Sequence, residues 1–255
     1  MTELIHRTRL DGGVLLAEVD RPPANAYDFE LLDAVEALAA DAEARVVVLA
    51  SRLERIFCAG ADLGAFLDLD PERRSDLCAR CREVQNAIEC SPRPFLALIE
   101  GACLGGGAEI ALSCDVRFMA RGARIGFPEV KLGLLPASGG TQNLPRRVGR
   151  GRALDLLLSG RSLDADEALA AGLVEHVGEA EAVRNAALDL AARIAGMPAE
   201  AVSAIKDAVV RGLRVSLAEG MTLELEHVGQ RFADPRTDPR LREALAAGRG
   251  RGERH

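Results

Sequence analysis

Two glutamates stand in surroundings that could give them chemistry. Glu109 follows three glycines in GACLGGGAEIALSCD, Gly101 to Asp115, and opens an apolar run. Glu129 follows Gly-Phe-Pro and precedes VKLGLLP. A carboxylate at the edge of an apolar run is costly to bury unless it has a partner. Shielding from water raises its pKa and fits it for general acid or base work near neutrality. Two such groups facing one pocket could hold a water molecule and move a proton separately. Taken singly, each has a plainer reading, as a helix N-terminal or loop residue bonded to backbone amides. Spacing alone leaves both readings open.

The glycines carry a second signal. Three in a row cost backbone entropy unless close approach or unusual dihedrals are needed. A turn that leads into a helix N-terminus aims free N–H groups outward, where they can hold the oxygen of a polarised carbonyl. FCAGAD, Phe57 to Asp62, offers another such backbone turn. Cys78 and Cys81 form a CxxC with no second pair or nearby His to complete a zinc site, and read as structural thiols. Cys58 and Cys103 read as small buried packing and His176 as structural. No Ser-His or Cys-His pairing supports a covalent acyl-enzyme.

Alternating strands and helices must position these loops. GVLLAEVD (Gly13 to Asp20), RVVVLAS (Arg45 to Ser51), FLALIEG (Phe95 to Gly101) and DVRFMA (Asp115 to Ala120) read as strands. Helical spacing covers Phe29 to Ala44, Pro71 to Cys90, Glu109 to Cys114 and Gly151 to Gly160. RPPANAYD is a turn and FCAGADLGAF a glycine loop; residues 124–149 are loop-rich. Asp164 to Val177 is a short helix running into a strand. From Glu179 onward the pattern is helical, ending in a basic, Gly-rich GRGRGERH expected to fray. The alternation predicts an α/β fold.

The totals exclude some classes. In 255 residues there is room for one large α/β domain or a main domain with an appendage. A net charge of -7 argues against general nucleic-acid binding. No apolar run reaches the roughly 18 residues of a membrane span, and the N-terminus has no apolar signal region. The six cysteines are then expected to be reduced thiols in a cytoplasmic protein.

FCAGADL, IEGACLGGGAEIALSCDVRFMA, IGFPEVKLGLLPASGGTQNLPRRVG and LLLSGRSLDADEALAAGLVEHV together resemble the crotonase (enoyl-CoA hydratase/isomerase) superfamily, in order, from about residue 13 to residue 215. The resemblance implies a spiral of ββα turns over residues 1–190. It implies a helical C-terminal region over residues 191–255 for trimerisation or as a lid, in a homotrimer or dimer of trimers. It also implies an acyl-CoA thioester substrate, with coenzyme A as part of the substrate and no metal or redox cofactor, nucleic acid or membrane.

By resemblance, the backbone amides of Ala61 and Gly106 form the oxyanion hole. Glu109 and Glu129 match the two catalytic glutamates of the hydratases, with Glu129 exchanging the proton at Cα. Ala24, Ala59, Asp62 and Leu63 match positions along the CoA path. Retention of both glutamates favours hydration of a 2-enoyl-CoA to a 3-hydroxyacyl-CoA. The alternatives are a crotonase-type isomerase, a hydratase of a specialised acyl-CoA, or a non-catalytic acyl-CoA-binding subunit. The chain departs from the family at Ser138, where glycine is frequent, and at Asn143, where Arg is common. It departs most near the C-terminus, which carries Pro, Asp and Arg in place of a Phe and Lys that close over CoA.

Overall fold

A computed structural model describes residues 3–252, with side chains through residue 246. Among the described residues ten strands are formed: β1 (Ile5–Leu10), β2 (Val14–Val19), β3 (Val46–Ser51), β4 (Ile56–Cys58), β5 (Phe95–Ile99), β6 (Ala102–Leu104), β7 (Val116–Ala120), β8 (Arg124–Gly126), β9 (Ser162–Leu163) and β10 (His176–Gly178). Between them lie α1 (Phe29–Ala39), α2 (Leu63–Leu67), α3 (Pro71–Cys90), α4 (Gly106–Ser113), α5 (Gly140–Val148), α6 (Arg150–Ser159) and α7 (Ala165–Ala171). Then follow α8 (Ala180–Ala195), α9 (Ala199–Gly212), α10 (Leu217–Phe232) and α11 (Thr237–Gly252).

The strands divide into a six-stranded sheet, β1-β2-β3-β5-β7-β10, and a four-stranded sheet, β4-β6-β8-β9. The chain steps from the large sheet to the small one three times, at β3 to β4, β5 to β6 and β7 to β8, and each step leads into helix. These are the ββα turns of a spiral. Alternation along β3 feeds two cores. Val47 and Leu49 face the helices and the small sheet, and Val46, Val48 and Ala50 face the other side. That other side is covered by Val183, Ala187, Ala191 and Ala195, one stripe along α8. Because α8 crosses residue 190, the first compact unit keeps the whole helix and ends at Met197.

Local signals set several boundaries. Asp28 caps α1 by accepting from the Leu31 amide, and Asp70 caps α3 with Pro71 behind it. The helix expected to reach Ala44 stops at Ala39; Asp41 ends the pattern by accepting from the amides of Glu43 and Ala44 in a turn. β1 pairs antiparallel with β2, though its sequence IHRTRL carries little apolar signal and it is largely exposed.

The second unit begins at Pro198 and holds α9, α10 and α11. Ser216 and Glu219 form a capping box at the start of α10. Helix α11 continues to Gly252, through much of the stretch expected to fray; residues 253–255 lie outside the described residues. Among the described residues no helix is long and apolar enough to cross a membrane, and no cluster of three or more His, Cys, Asp or Glu could hold a metal ion.

Candidate active site

In the small sheet, β4, β6 and β8 run parallel, so their C-terminal ends point one way. Three loops leave those ends: Ala59–Asp62 after β4, Gly105–Gly106 after β6, and Phe127–Glu129 after β8. This is where parallel strands present ligand sites. A cavity of about 190 Å³ opens here, and all three loops contribute to its wall.

Ala61, Gly106, Glu109, Glu129, Ala59 and Leu63 all line this one cavity. Ala24 and Asp62 lie outside its wall. The Ala24 carbonyl accepts from the Ala59 amide at 3.1 Å, and the Asp62 carboxylate caps α2 by accepting from Gly64 and Ala65. Both hold the shape of the first loop. The glycine loop expected from FCAGADLGAF therefore contains a short helix, α2. Arg74 fixes its far end, donating to the Phe66 carbonyl at 2.9 Å.

Gly106 opens α4, so its amide stands among those that no carbonyl of the same helix can reach. Close packing explains why glycine recurs here. A Cβ on Gly106 would overlap the Tyr27 hydroxyl and lie 2.6 Å from a ring carbon, and one on Gly107 would lie 2.7 Å from the Cys58 Cβ.

Glu109 lies in the first turn of α4 and is 2% exposed. Its Oε1 accepts from the amides of Gly140, at 2.6 Å, and Ser138, at 3.0 Å. The plainer reading of this glutamate is thus correct as far as it goes, yet the same carboxyl lines the cavity. Its pKa is pushed up to about 7; burial is the main cause and the charge of Glu129 adds to it, while the two amides act the other way. Glu129 sits on a single turn of 3-10 helix, Pro128–Leu132. Burial raises its pKa too, and its Oε2 is buried without a hydrogen-bond partner among the described residues. A pair of carboxyls held above their ordinary pKa in one cavity is suited to proton exchange, and Glu109 titrates near neutral pH.

The shift of Glu109 has a measurable consequence for stability. Folding raises this pKa above its ordinary value of 4.5, so the folded chain holds the proton more tightly. The stabilisation is complete below the unfolded pKa and is lost as pH rises through about 7. A shift of this size corresponds to about 3 kcal/mol. Glu109→Gln keeps an acceptor oxygen for both amides and carries no charge. It should gain stability relative to the parent as pH rises from the ordinary value towards about 7, and the difference should level off above it. Thermal unfolding of both proteins between about pH 4 and 9 checks this.

Sequence reasoning gave no site role to several residues at the cavity. Tyr27, Phe66 and Cys78 line it, and Cys81 lies behind it. The Cys81 sulfur is fully buried and receives a hydrogen bond from Gln85 Nε2 at 3.3 Å, and it lies near the Tyr27 phenol. Cys78 and Cys81 are one turn apart on α3, so the structural reading of Cys78 is incomplete. The helical period of α3 could have put both cysteines on its inner face; nothing local marked Tyr27. His176 is partnered by stacking on Phe118, with ring centroids 4.4 Å apart.

Comparisons with known proteins give the family. The family model for enoyl-CoA hydratase/isomerase matches residues 9–239. The chain is 38% identical over 228 residues to the mitochondrial methylglutaconyl-CoA hydratase of Mus musculus, covering 86% of this chain and 73% of that protein. In the human protein of the same name the match spans 58% of the length. It is 34% identical to the short-chain-enoyl-CoA hydratase of Clostridium acetobutylicum, covering 88% and 87% of the two chains. The crystal structure of an enoyl-CoA hydratase from Bacillus anthracis superposes with a TM-score of 0.91 at 33% identity, covering 98% of this chain and 97% of that one. With the match running through all three loops that build the cavity, the chain belongs to the enoyl-CoA hydratase/isomerase family.

Proposed function

We propose that the chain catalyses the reversible hydration of a 2-enoyl-CoA thioester with an uncharged aliphatic acyl group, giving the 3-hydroxyacyl-CoA. The observation that carries this reading is the convergence of two raised-pKa carboxyls and two loop amides on one cavity. The thioester carbonyl accepts from the amides of Ala61 and Gly106, which stabilise the oxygen as negative charge moves onto it. A water held between Glu109 and Glu129 gives a proton to a carboxylate as its oxygen adds to Cβ. Glu129 delivers a proton to Cα. Hydroxyl and hydrogen are thereby added across the double bond, and the pair of carboxyls ends with the protons it began with. CoA enters as part of the substrate, its pantetheine passing along the main chain of Ala59 to Leu63. The proposal includes assembly as a homotrimer or dimer of trimers, which light scattering on the purified protein would test.

The acyl class follows from the wall. Leu63, Phe66, Leu132, Leu134, Leu135 and Ala137 supply it, and the only charged groups among the lining residues are the two glutamates. The glutaconyl group in the name of the mouse relative carries a second carboxylate. Here such a group would lose its hydration without gaining a cation and would face two carboxyls. A penalty of about 3 kcal/mol corresponds to roughly 100-fold in kcat/KM. Crotonyl-CoA should therefore be hydrated at least about 100-fold more efficiently than 3-methylglutaconyl-CoA. The assay follows loss of the conjugated enoyl-thioester absorbance. Equal efficiency would overturn the acyl class but leave hydration standing. Binding of both thioesters without turnover would overturn hydration in favour of a non-catalytic subunit.

A further inference from the structure

Tyr27, the single tyrosine of the chain, touches both arms of the site. Its amide donates to the Gly60 carbonyl at 2.8 Å, and its carbonyl accepts from the Asp62 amide at 2.9 Å. Ala61 is held between those two bonds, in a parallel bridge with Tyr27. The phenol reaches the other arm. It lies so close to Gly106 that a Cβ there would overlap its hydroxyl, and it is 5% exposed. The hydroxyl lies near the buried Cys81 sulfur on α3. Behind it the main chain is anchored by Asn25, fully buried with φ 48°. Its Nδ2 donates to Ser51 Oγ at 2.8 Å and to the Phe57 carbonyl at 3.1 Å, while its Oδ1 accepts from the Arg21 amide at 2.8 Å.

We propose that Tyr27 is the positioning residue of the oxyanion hole: its main chain holds the Ala61 amide, and its buried phenol, packed on Gly106, holds the Gly106 amide at the matching distance. The two amides come from loops after different strands, β4 and β6. The loops also meet directly, since a Cβ built on Gly60 would lie 3.4 Å from the Gly106 nitrogen; Tyr27 adds a side chain that is bonded into the first loop and packed on the second. Donors of this kind act only if their geometry is fixed before charge develops, and a rigid ring with two torsions loses little freedom in doing so. This inference rests on the oxyanion role proposed above for Ala61 and Gly106.

The test uses the full-length protein and two variants, Tyr27→Phe and Tyr27→Leu. Phe keeps the ring but loses the hydroxyl that packs on Gly106; Leu loses the wedge. Two quantities are read: kcat and KM for crotonyl-CoA, and the pKa of bound acetoacetyl-CoA, whose enolate absorbs differently from the neutral thioester. An intact pair of amides stabilises that enolate and lowers its pKa without any hydration taking place. The expected result is a fall in kcat of about tenfold for Phe and about 100-fold for Leu, with KM changing less than about threefold. The bound enolate pKa should rise in the same order. A residue that merely packed would leave that pKa unchanged. Parental kcat and enolate pKa in both variants would overturn the positioning role while hydration stands. A parent that lowers the enolate pKa but hydrates no enoyl-CoA would overturn the proposed function, with Tyr27 still decided by the enolate titration. A parent that does neither has no oxyanion hole to position, and both proposals fall.

Discussion

Glu129→Gln is expected to lower kcat for crotonyl-CoA hydration by about 10³-fold, with KM nearly unchanged. The substitution keeps size and shape and removes only the capacity to exchange a proton. Three observations make this carboxyl the most exposed to such a loss. Its Oε2 is buried without a partner among the described residues, a cost that calls for a reason. Burial raises its pKa above the ordinary carboxylate value, which makes the protonated form easier to hold for delivery. Its Oε1 lies over the start of α4, where a Cβ built on Gly105 would come within 3.0 Å. That places it beside the amide that would hold the thioester oxygen, two bonds from Cα. Glu109→Gln should also lose hydration, by about 10²-fold or more, since the water then has one acceptor instead of two. Loss in both variants supports hydration. If migration of a 3,4 double bond survived in Glu109→Gln but not in Glu129→Gln, the chain would be an isomerase. Parental kcat in Glu129→Gln would remove this glutamate from the mechanism.

The sequence made the loops legible and hid what holds them. Glu109 and Glu129 were visible because a charged residue inside an apolar, glycine-rich stretch needs a reason, and both line the cavity. The strands β3 and β5 were visible as continuous apolar runs, since both of their faces are buried. Strand β1 was not, because an exposed edge strand needs no apolar period. The short strands β4, β6 and β8, three residues each, carry too few positions for any period to emerge, yet their shared direction is what brings the three loops together. Tyr27 was invisible for a different reason. Its function depends on a neighbour at Gly106, far along the chain, and its phenol lies near a thiol at Cys81. Such pairings are set by the packing of separate turns of the spiral and leave no mark at either position.

The two adjacent glycines that open α4 should fail in different ways when replaced by alanine. In Gly106→Ala the new methyl overlaps the Tyr27 hydroxyl and lies 2.6 Å from a ring carbon. Relief requires the ring to swing or the first turn of α4 to shift. Either motion displaces an amide that must meet the thioester oxygen to within a few tenths of an ångström, and a misplacement near 1 Å costs about 10²-fold. The variant should fold, bind acyl-CoA, and lose about 10²- to 10³-fold in kcat. In the Tyr27→Leu background the same methyl meets a smaller, more adaptable side chain. The additional loss should be smaller there, giving a coupling term in the double-mutant cycle. In Gly107→Ala the methyl meets main chain instead, overlapping the Cys58 carbonyl and lying 2.7 Å from the Cys58 Cβ. Cys58 ends β4 and is fixed by pairing with β6, so no side chain can rotate away. That variant should lose stability, read as a lower melting temperature and poor yield, before it loses turnover per folded molecule. Equal melting temperatures for the two variants, or full activity in Gly106→Ala, would show that α4 can slide along β4. The Gly106 amide would then not be fixed by packing at all, and its alignment would have to come from the bound thioester itself.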